Sequence, residues 1–133
     1  INEVEAGVCC KRTLRSAEGE ILLDQVAEAA RELMNYGVGE VCLIHFPEGG
    51  YMLTRNGDTL YCPTIPVAHE DIVSTVGAGD AFCAGALYAL HEGYSPREVL
   101  TFANASARFN LYGATSTSAA PSLKQITNYL KSL

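Results

Sequence analysis

The sequence has few basic residues and little charge overall. Lysine and arginine together number 9, against 15 aspartate and glutamate residues, which gives a net charge of −6. A surface with this balance repels the phosphates of a nucleic acid, so we expect no nucleic-acid partner. Charged residues make up only 18% of the chain and hydrophobic residues 48%, which argues against disorder and predicts a domain with its own core.

Long apolar runs, paired cysteine motifs and metal-binding histidine spacings are also missing. No apolar run reaches the roughly 18–20 residues of a membrane span, so we expect no membrane partner. The 5 cysteines contain no C-x-x-C pair, and their odd number would leave one unpaired in an oxidising compartment. We therefore expect reduced thiols and a cytoplasmic protein. The histidines lack the spacing of metal ligands, and we expect ordinary core or surface positions for His45, His69 and His91.

The most informative stretch is a glycine-rich segment, S-T-V-G-A-G-D-A-F, from Ser74 to Phe82. Its glycines let backbone N–H groups approach a phosphate at the start of a helix, where the macrodipole favours an anion. A carboxylate in that place, Asp80, is explained if it takes a proton from a hydroxyl nucleophile, which indicates phosphoryl transfer to an alcohol. An aspartate in the first turn of a helix can also merely complement the dipole, and the local sequence alone does not separate these two roles. The lysine of a Walker motif and the third glycine of a dinucleotide motif are both absent.

The hydrophobic pattern predicts strands that alternate with helices, which favours a layered α/β architecture. Turn signals include Asn56-Gly57-Asp58 for a hairpin, and Ser95-Pro96-Arg97-Glu98 marks a helix start. The predicted helices are 18–36, 78–91, 95–112 and 122–130, and the predicted strands are 41–46, read as a buried parallel strand, 51–55 and 59–62.

Two motifs resemble those of the pfkB carbohydrate kinases, the ribokinase-like family. The glycine-rich segment resembles the family's second signature, D-T-x-G-A-G-D, and Asn2-Glu3-Val4-Glu5 resembles its N-x-x-E motif. The resemblance implies the C-terminal part of a ribokinase-like three-layer α/β/α domain with a mostly parallel sheet, formed by residues 1–133 as a single unit. The N-terminal half of such a kinase, which carries the sugar-binding residues, has no counterpart here, so we expect a fragment of a longer protein.

The resemblance also assigns roles to individual residues. It implies that Asp80 is the catalytic base and that Asn2 and Glu5 organise Mg²⁺, which we expect to be bound through water. The anion hole for the phosphate falls on Gly77, Ala78 and Gly79.

Three further positions match nucleotide-binding segments of the family. Asn104 matches the asparagine of a helix that lines the adenine pocket, and Gly49 and Gly50 match a loop that passes near the nucleotide. The sequence departs from the family at His45-Phe46, where leucine and glycine are usual, and this leaves the choice of nucleotide open. Ser74 stands where an aspartate helps to hold a monovalent cation in several members, so dependence on that cation is open too.

The function that the resemblance implies is ATP-dependent transfer of a phosphoryl group to a hydroxyl of a sugar or sugar-like small molecule. One alternative is a kinase of the same fold acting on a nucleoside or a vitamin alcohol. The other is a non-catalytic nucleotide-binding or regulatory fragment. The expected partners are a nucleotide and a small-molecule alcohol, and we expect uncovered apolar strand faces to favour self-association into a homo-oligomer. The fragment alone is expected to be inactive.

Overall fold

The computed structural model describes residues 1–133 and divides them between two units, Ile1–Pro63 and Thr64–Leu133. The first unit contains α1 (Glu3–Cys10), α2 (Leu23–Asn35), β1 (Val41–Phe46), β2 (Gly49–Thr54) and β3 (Thr59–Pro63). The second contains a 3₁₀ turn (His69–Asp71), α3 (Ala78–His91), α4 (Pro96–Asn110) and α5 (Leu123–Lys131). The single unit over 1–133 stays a prediction. None of the helices combines the length and the apolar character needed to cross a membrane.

The first unit is built on a three-stranded sheet with the order β1-β2-β3. β1 pairs with β2 from Val41 opposite Thr54 to Phe46 opposite Gly49, and β2 pairs in turn with β3. Both pairings are antiparallel. Connections this short, across Pro47-Glu48 and across the predicted Asn56-Gly57-Asp58 turn, join only antiparallel strands.

The expectation of a mostly parallel sheet is therefore not confirmed. The apolar run of β1 indicates a buried parallel strand, yet its residues alternate between half-buried and buried, and the strand runs antiparallel to β2. A continuous apolar run does not specify the direction of its partner, whereas the tight turn that follows it does. One parallel contact is present: Asn2 and His45 form an isolated bridge, in which the His45 N–H donates to the Ile1 carbonyl at 3.1 Å. The three-layer arrangement stays a prediction.

The core of the first unit lies between α2 and the sheet. α2 buries Val26, Ala29, Ala30 and Leu33, and these side chains belong to one hydrophobic cluster with residues of α1, β1 and β2. The helix begins at Leu23 and not at residue 18, because residues 16–20 form a turn. In that turn the Ser16 hydroxyl accepts hydrogen bonds from the N–H groups of Glu18 and Glu20.

The second unit is a packed helix pair, α3 against α4, with α5 beside it. A side-chain carbon at Gly85 of α3 would lie 3.2 Å from the Ala103 Cα of α4, so glycine allows the two helices to approach closely. The predicted start of α4 is confirmed: Ser95 and Glu98 form a capping box and Pro96 occupies the first turn. Hydrogen bonds from Asn110 and to the Leu111 carbonyl place the segment before α3 next to the C-terminal end of α4.

Candidate active site

The glycine-rich segment forms a turn that ends at the N-terminus of α3; we call residues 74–80 the anion loop. Gly77 precedes the helix with φ +81°, and no side chain caps the helix. The Ala78 N–H donates to the Thr75 carbonyl at 3.2 Å and the Ala81 N–H to the Gly77 carbonyl at 2.9 Å. The N–H groups of Gly77, Gly79 and Asp80 donate to no group of the chain. They are therefore free to bind an anion at the positive end of the helix dipole.

Gly77 is required at its position for two separate reasons. Its φ of +81° lies in the left-handed region that side-chain-bearing residues rarely adopt. In addition, a Cβ at this position would lie 2.6 Å from both Cα and Cβ of Ser116, in the loop after α4. The loop after α4 therefore packs directly against the anion loop at Gly77.

Asp80 lies in the first turn of α3, and its side chain is exposed. Its carboxylate accepts no hydrogen bond from the chain and forms no ion pair. A carboxylate that is held on a helix next to free N–H groups, and is not engaged itself, is available to take a proton from a bound alcohol. Its assignment as the base stays a prediction.

The C-terminal end of α4 holds the anion loop in place. The Asn110 side chain is fully buried and donates from Nδ2 to the Val76 carbonyl at 2.8 Å. The Leu111 carbonyl accepts from the Val73 N–H at 2.9 Å and from the Ser74 N–H at 3.3 Å. Within the loop, the Ser74 hydroxyl accepts from the Val76 N–H at 3.1 Å.

The role of Asn110 was not anticipated from the sequence, although a signal was present. The buried residues of α4 recur at helical spacing, and Val99, Phe102, Ala103 and Ser106 precede Asn110 on that buried stripe. A polar amide at an apolar position of the period indicates a buried hydrogen bond, because a buried polar group without one is costly.

Asn104 lies on the same helix, six residues before Asn110, and is half-buried. Nearby, Arg108 donates from Nη1 to the carbonyls of Ile65 and Pro66 at 2.8 and 3.1 Å. These two hydrogen bonds attach the proline-containing loop to α4. The anion loop follows directly after this proline-containing loop. The part of Asn104 in binding adenine stays a prediction.

Asn2 and Glu5 lie in the first unit and form a capping box at the start of α1. The Glu5 N–H donates to Asn2 Oδ1 at 2.8 Å, and the Asn2 N–H donates to Glu5 Oε2 at 2.9 Å. The N-x-x-E spacing thus has a structural role that the sequence also signals, since an asparagine three residues before a glutamate is a capping pattern.

The same two residues fit a magnesium site only through water. The chain gathers no group of three or more His, Cys, Asp or Glu side chains that would hold a metal ion directly. Glu5 is exposed, and its second carboxylate oxygen, Oε1, accepts no hydrogen bond from the chain. One free carboxylate oxygen suits Mg²⁺, which keeps several of its waters and uses few protein carboxylates.

Gly49 and Gly50 are strand residues and do not form the predicted loop. They begin β2, are buried, and pair with Pro63 and Cys62 of β3, so the turn consists of Pro47-Glu48 alone. A Cβ at Gly49 would lie 2.9 Å from Tyr61 Cε2 and 3.0 Å from the Pro63 Cα. This glycine therefore permits close packing of two strands, and its part in nucleotide binding stays a prediction.

An arginine that the sequence did not single out, Arg15, ties together three segments of the first unit. Its guanidinium binds both Glu48 carboxylate oxygens at 2.8 and 3.0 Å, the Glu3 carboxylate at 2.9 Å and the Gly19 carbonyl at 2.7 Å. The hydrogen bonds from Arg15 lower the pKa of Glu48 below its ordinary value. The cluster of Arg15, Glu3 and Glu48 fixes the start of α1 to the β1–β2 turn.

The sequence-predicted residues divide between the two units. The second unit contains Gly77, Ala78 and Gly79 of the anion loop and Asp80, the predicted base, in one turn of backbone, with Asn104 on the neighbouring helix α4. The residues of the first unit are Asn2, Glu5, Gly49 and Gly50.

The sequence profile of one family, described as "pfkB family carbohydrate kinase", matches residues 1–123. The chain is 33% identical over 87 residues to a 1-phosphofructokinase of Haemophilus influenzae, covering 65% of this chain and 27% of that protein. It is 30% identical over 104 residues to a 5-dehydro-2-deoxygluconokinase of Clostridium beijerinckii, covering 78% of this chain and 30% of that protein. A solved structure of Arabidopsis thaliana ribokinase, complexed with ribose and ATP, superposes with a TM-score of 0.82 at 27% identity, covering 98% of this chain and 39% of that one. The chain thus spans less than a third of the length of these curated relatives.

Proposed function

Because the chain belongs to the pfkB family of carbohydrate kinases, we propose that it is the C-terminal nucleotide-binding and catalytic part of a sugar kinase. The intact kinase transfers the γ-phosphoryl group of ATP to a hydroxyl of a sugar or sugar-like small molecule. The observation that carries this proposal is the turn at the start of α3, where the N–H groups of Gly77, Gly79 and Asp80 are free beside an unengaged carboxylate.

The residues of this turn account for both halves of the reaction. Asp80 accepts the proton of the attacking hydroxyl, whose oxygen forms the new bond to the γ-phosphorus as the bond from that phosphorus to the bridging oxygen of ADP breaks. The free N–H groups donate to the phosphoryl oxygens, on which negative charge is distributed in the transition state. These donors are fixed by the backbone and need no reorganisation during the reaction.

A magnesium ion, when bound, neutralises charge on the phosphates, and Glu5 is the residue of this chain suited to hold it through water. Glu5→Gln separates this role from capping, because glutamine also serves in a capping box and keeps the hydrogen bond to the Asn2 N–H. We expect a loss of stability no larger than about 0.3–1 kcal/mol, the contribution of one acidic charge at a helix start, but a several-fold higher Mg²⁺ concentration for half-maximal turnover. Glu5→Ala, which removes the cap as well, serves as the comparison. Unchanged magnesium dependence in both variants would remove Glu5 from the metal site.

The activity itself is tested by ADP release with a panel of hexoses, pentoses, phosphorylated sugars and nucleosides. We expect the intact kinase to release ADP with one class of sugar. The 133-residue chain alone should release none, because positioning of the acceptor and closure over it are assigned to the part of the kinase that lies outside this chain. Nucleoside-dependent release in place of sugar-dependent release would favour the nucleoside kinase alternative. Robust acceptor-dependent release by the chain alone would overturn the assignment of acceptor binding to the remainder of the protein.

A further inference from the structure

The last residue of α4 is polar, buried and in contact with the anion loop. Asn110 is 0% exposed, and its Nδ2 donates to the Val76 carbonyl at 2.8 Å. Val76 directly precedes Gly77, whose backbone turns the chain into α3. The Asn110 side chain therefore acts on the peptide unit at which the anion loop becomes a helix.

That peptide unit carries the first donor of the proposed anion hole. The Val76 carbonyl and the Gly77 N–H belong to the same planar trans peptide and point in opposite directions. When Asn110 binds the carbonyl on the buried side, the Gly77 N–H is directed away from α4. The N–H donates to no group of the chain and is free for a ligand.

Packing alone does not explain an asparagine at this position. The second amide atom, Asn110 Oδ1, is buried and has no hydrogen-bond partner. An apolar side chain of similar size would fill the same space without burying an unpaired oxygen, which is unfavourable. The bond to Val76 is thus the interaction that an asparagine supplies here and a leucine would not.

We propose that Asn110 is a positioning residue of the kinase reaction: it holds the Val76–Gly77 peptide so that the Gly77 N–H points at the transferring phosphoryl group. Asn110 does not touch the substrate in this account, and its effect is exerted through the backbone of Gly77. The expected change in kcat rests on the proposed function. The expected change in the order of the anion loop does not.

The variant that tests it is Asn110→Leu, which keeps the number and branching of the side-chain heavy atoms and removes both amide atoms. The Val76 carbonyl loses its donor in this variant, while the unpaired Asn110 Oδ1 is removed as well, so we expect a folded protein that loses no more stability than one unpaired buried acceptor costs. The amide order parameter of Gly77, measured by ¹⁵N relaxation in this chain, should fall from about 0.85 towards 0.6. In the intact kinase, kcat should fall roughly 10–100-fold while KM for the sugar changes less than about threefold.

A matched control is Ser106→Ala on the same helix. Ser106 is also buried, at 5% exposure, and donates to the Phe102 carbonyl at 3.0 Å without contacting the anion loop. We expect Ser106→Ala to lower stability and leave both kcat and the Gly77 order parameter unchanged. Asn110→Ala, which removes the same bond without adding carbon atoms, replaces Asn110→Leu if leucine prevents folding.

Two independent readings decide the outcome. A folded Asn110 variant with an ordered Gly77 amide, or with wild-type kcat, would overturn the positioning role. If the intact wild-type kinase phosphorylates no sugar, the proposed function fails. The order parameter then still decides whether Asn110 orients the Gly77 peptide.

Discussion

At the scale of single residues, the anion loop combines one position that only glycine fits with one unengaged acid. Gly77 supplies a left-handed torsion in a place that is also too narrow for a side chain, and Asp80 follows three residues later with its carboxylate free. Both were predictable from the sequence. Glycine permits left-handed torsions, and an acid at a helix start that suits an anion indicates a chemical role. Asn110 was not predictable, because the contact between the end of α4 and the start of α3 depends on tertiary packing.

Gly77→Ala should lower the stability of the protein more than the same substitution at Gly93, the left-handed glycine that follows the other end of α3. Gly93, after the C-terminal end of α3, has φ +73° and no atom within 4 Å of the position that a Cβ would occupy, so Gly93→Ala adds backbone strain alone. That strain is about 1–2 kcal/mol. Gly77→Ala adds the collision with Ser116, and we expect a larger loss of unfolding free energy together with weaker nucleotide binding. Denaturant titration and calorimetry measure the two effects, and equal losses in both variants would contradict the close approach of Ser116.

At the scale of elements, side-chain caps mark the start of some helices, although not of α2 and α3. Three helices start with a capping box, at Asn2/Glu5, Ser95/Glu98 and Ser122/Gln125. The second was predicted from Ser95-Pro96-Arg97-Glu98, whereas the first was interpreted only as a metal motif. The mostly parallel sheet is not confirmed: the predicted hairpin between β2 and β3 is present, but β1 also runs antiparallel to its neighbour, and its apolar pattern carries no information on strand direction. Ion pairs between distant segments, such as Arg15 with Glu48, cannot be predicted from the local hydrophobic pattern.

The Arg15 cluster predicts a loss of stability in acid. Arg15 lowers the pKa of Glu48 below its ordinary 4.5, so the folded carboxyl titrates at lower pH than the unfolded one. Its contribution is complete above 4.5 and is lost as pH falls through the folded pKa. Because the Glu48 side chain is 44% exposed, we expect about 1 kcal/mol or less.

This prediction is measured by urea unfolding of the wild type and Glu48→Gln from about pH 7 down to about pH 3. The variant should be less stable at neutral pH and should lose less stability on acidification. Glu18→Gln, at an exposed glutamate of the neighbouring turn that forms no ion pair, is the control and should follow the wild type. Parallel pH profiles for Glu48→Gln and the wild type would show that the ion pair does not contribute.

At the scale of the whole molecule, the family was predictable from two short motifs, and the substrate was not. The family profile covers residues 1–123, but the chain spans only 27% and 30% of its curated relatives. Those relatives are named for different sugars. The residues of this chain that we assign concern the nucleotide, the phosphoryl group, its metal ion and the proton of the attacking hydroxyl, and none is assigned to recognition of the sugar. The residues that select the acceptor are therefore not among those assigned here.

The central claim is that Asp80 is the base of a phosphoryl transfer, and the kcat of Asp80→Asn in the intact kinase tests it most directly. Asp24, an exposed acid in the first turn of α2, provides the matched control, because Asp24→Asn removes the same favourable charge from a helix start. That charge contributes about 0.3–1 kcal/mol to stability at either helix. We expect Asp80→Asn to lower kcat by roughly 10²–10⁴-fold with nucleotide affinity within a few-fold of wild type, and Asp24→Asn to leave kcat unchanged. Near-wild-type kcat in Asp80→Asn would contradict the account and leave Asp80 as an acid that only complements the helix dipole.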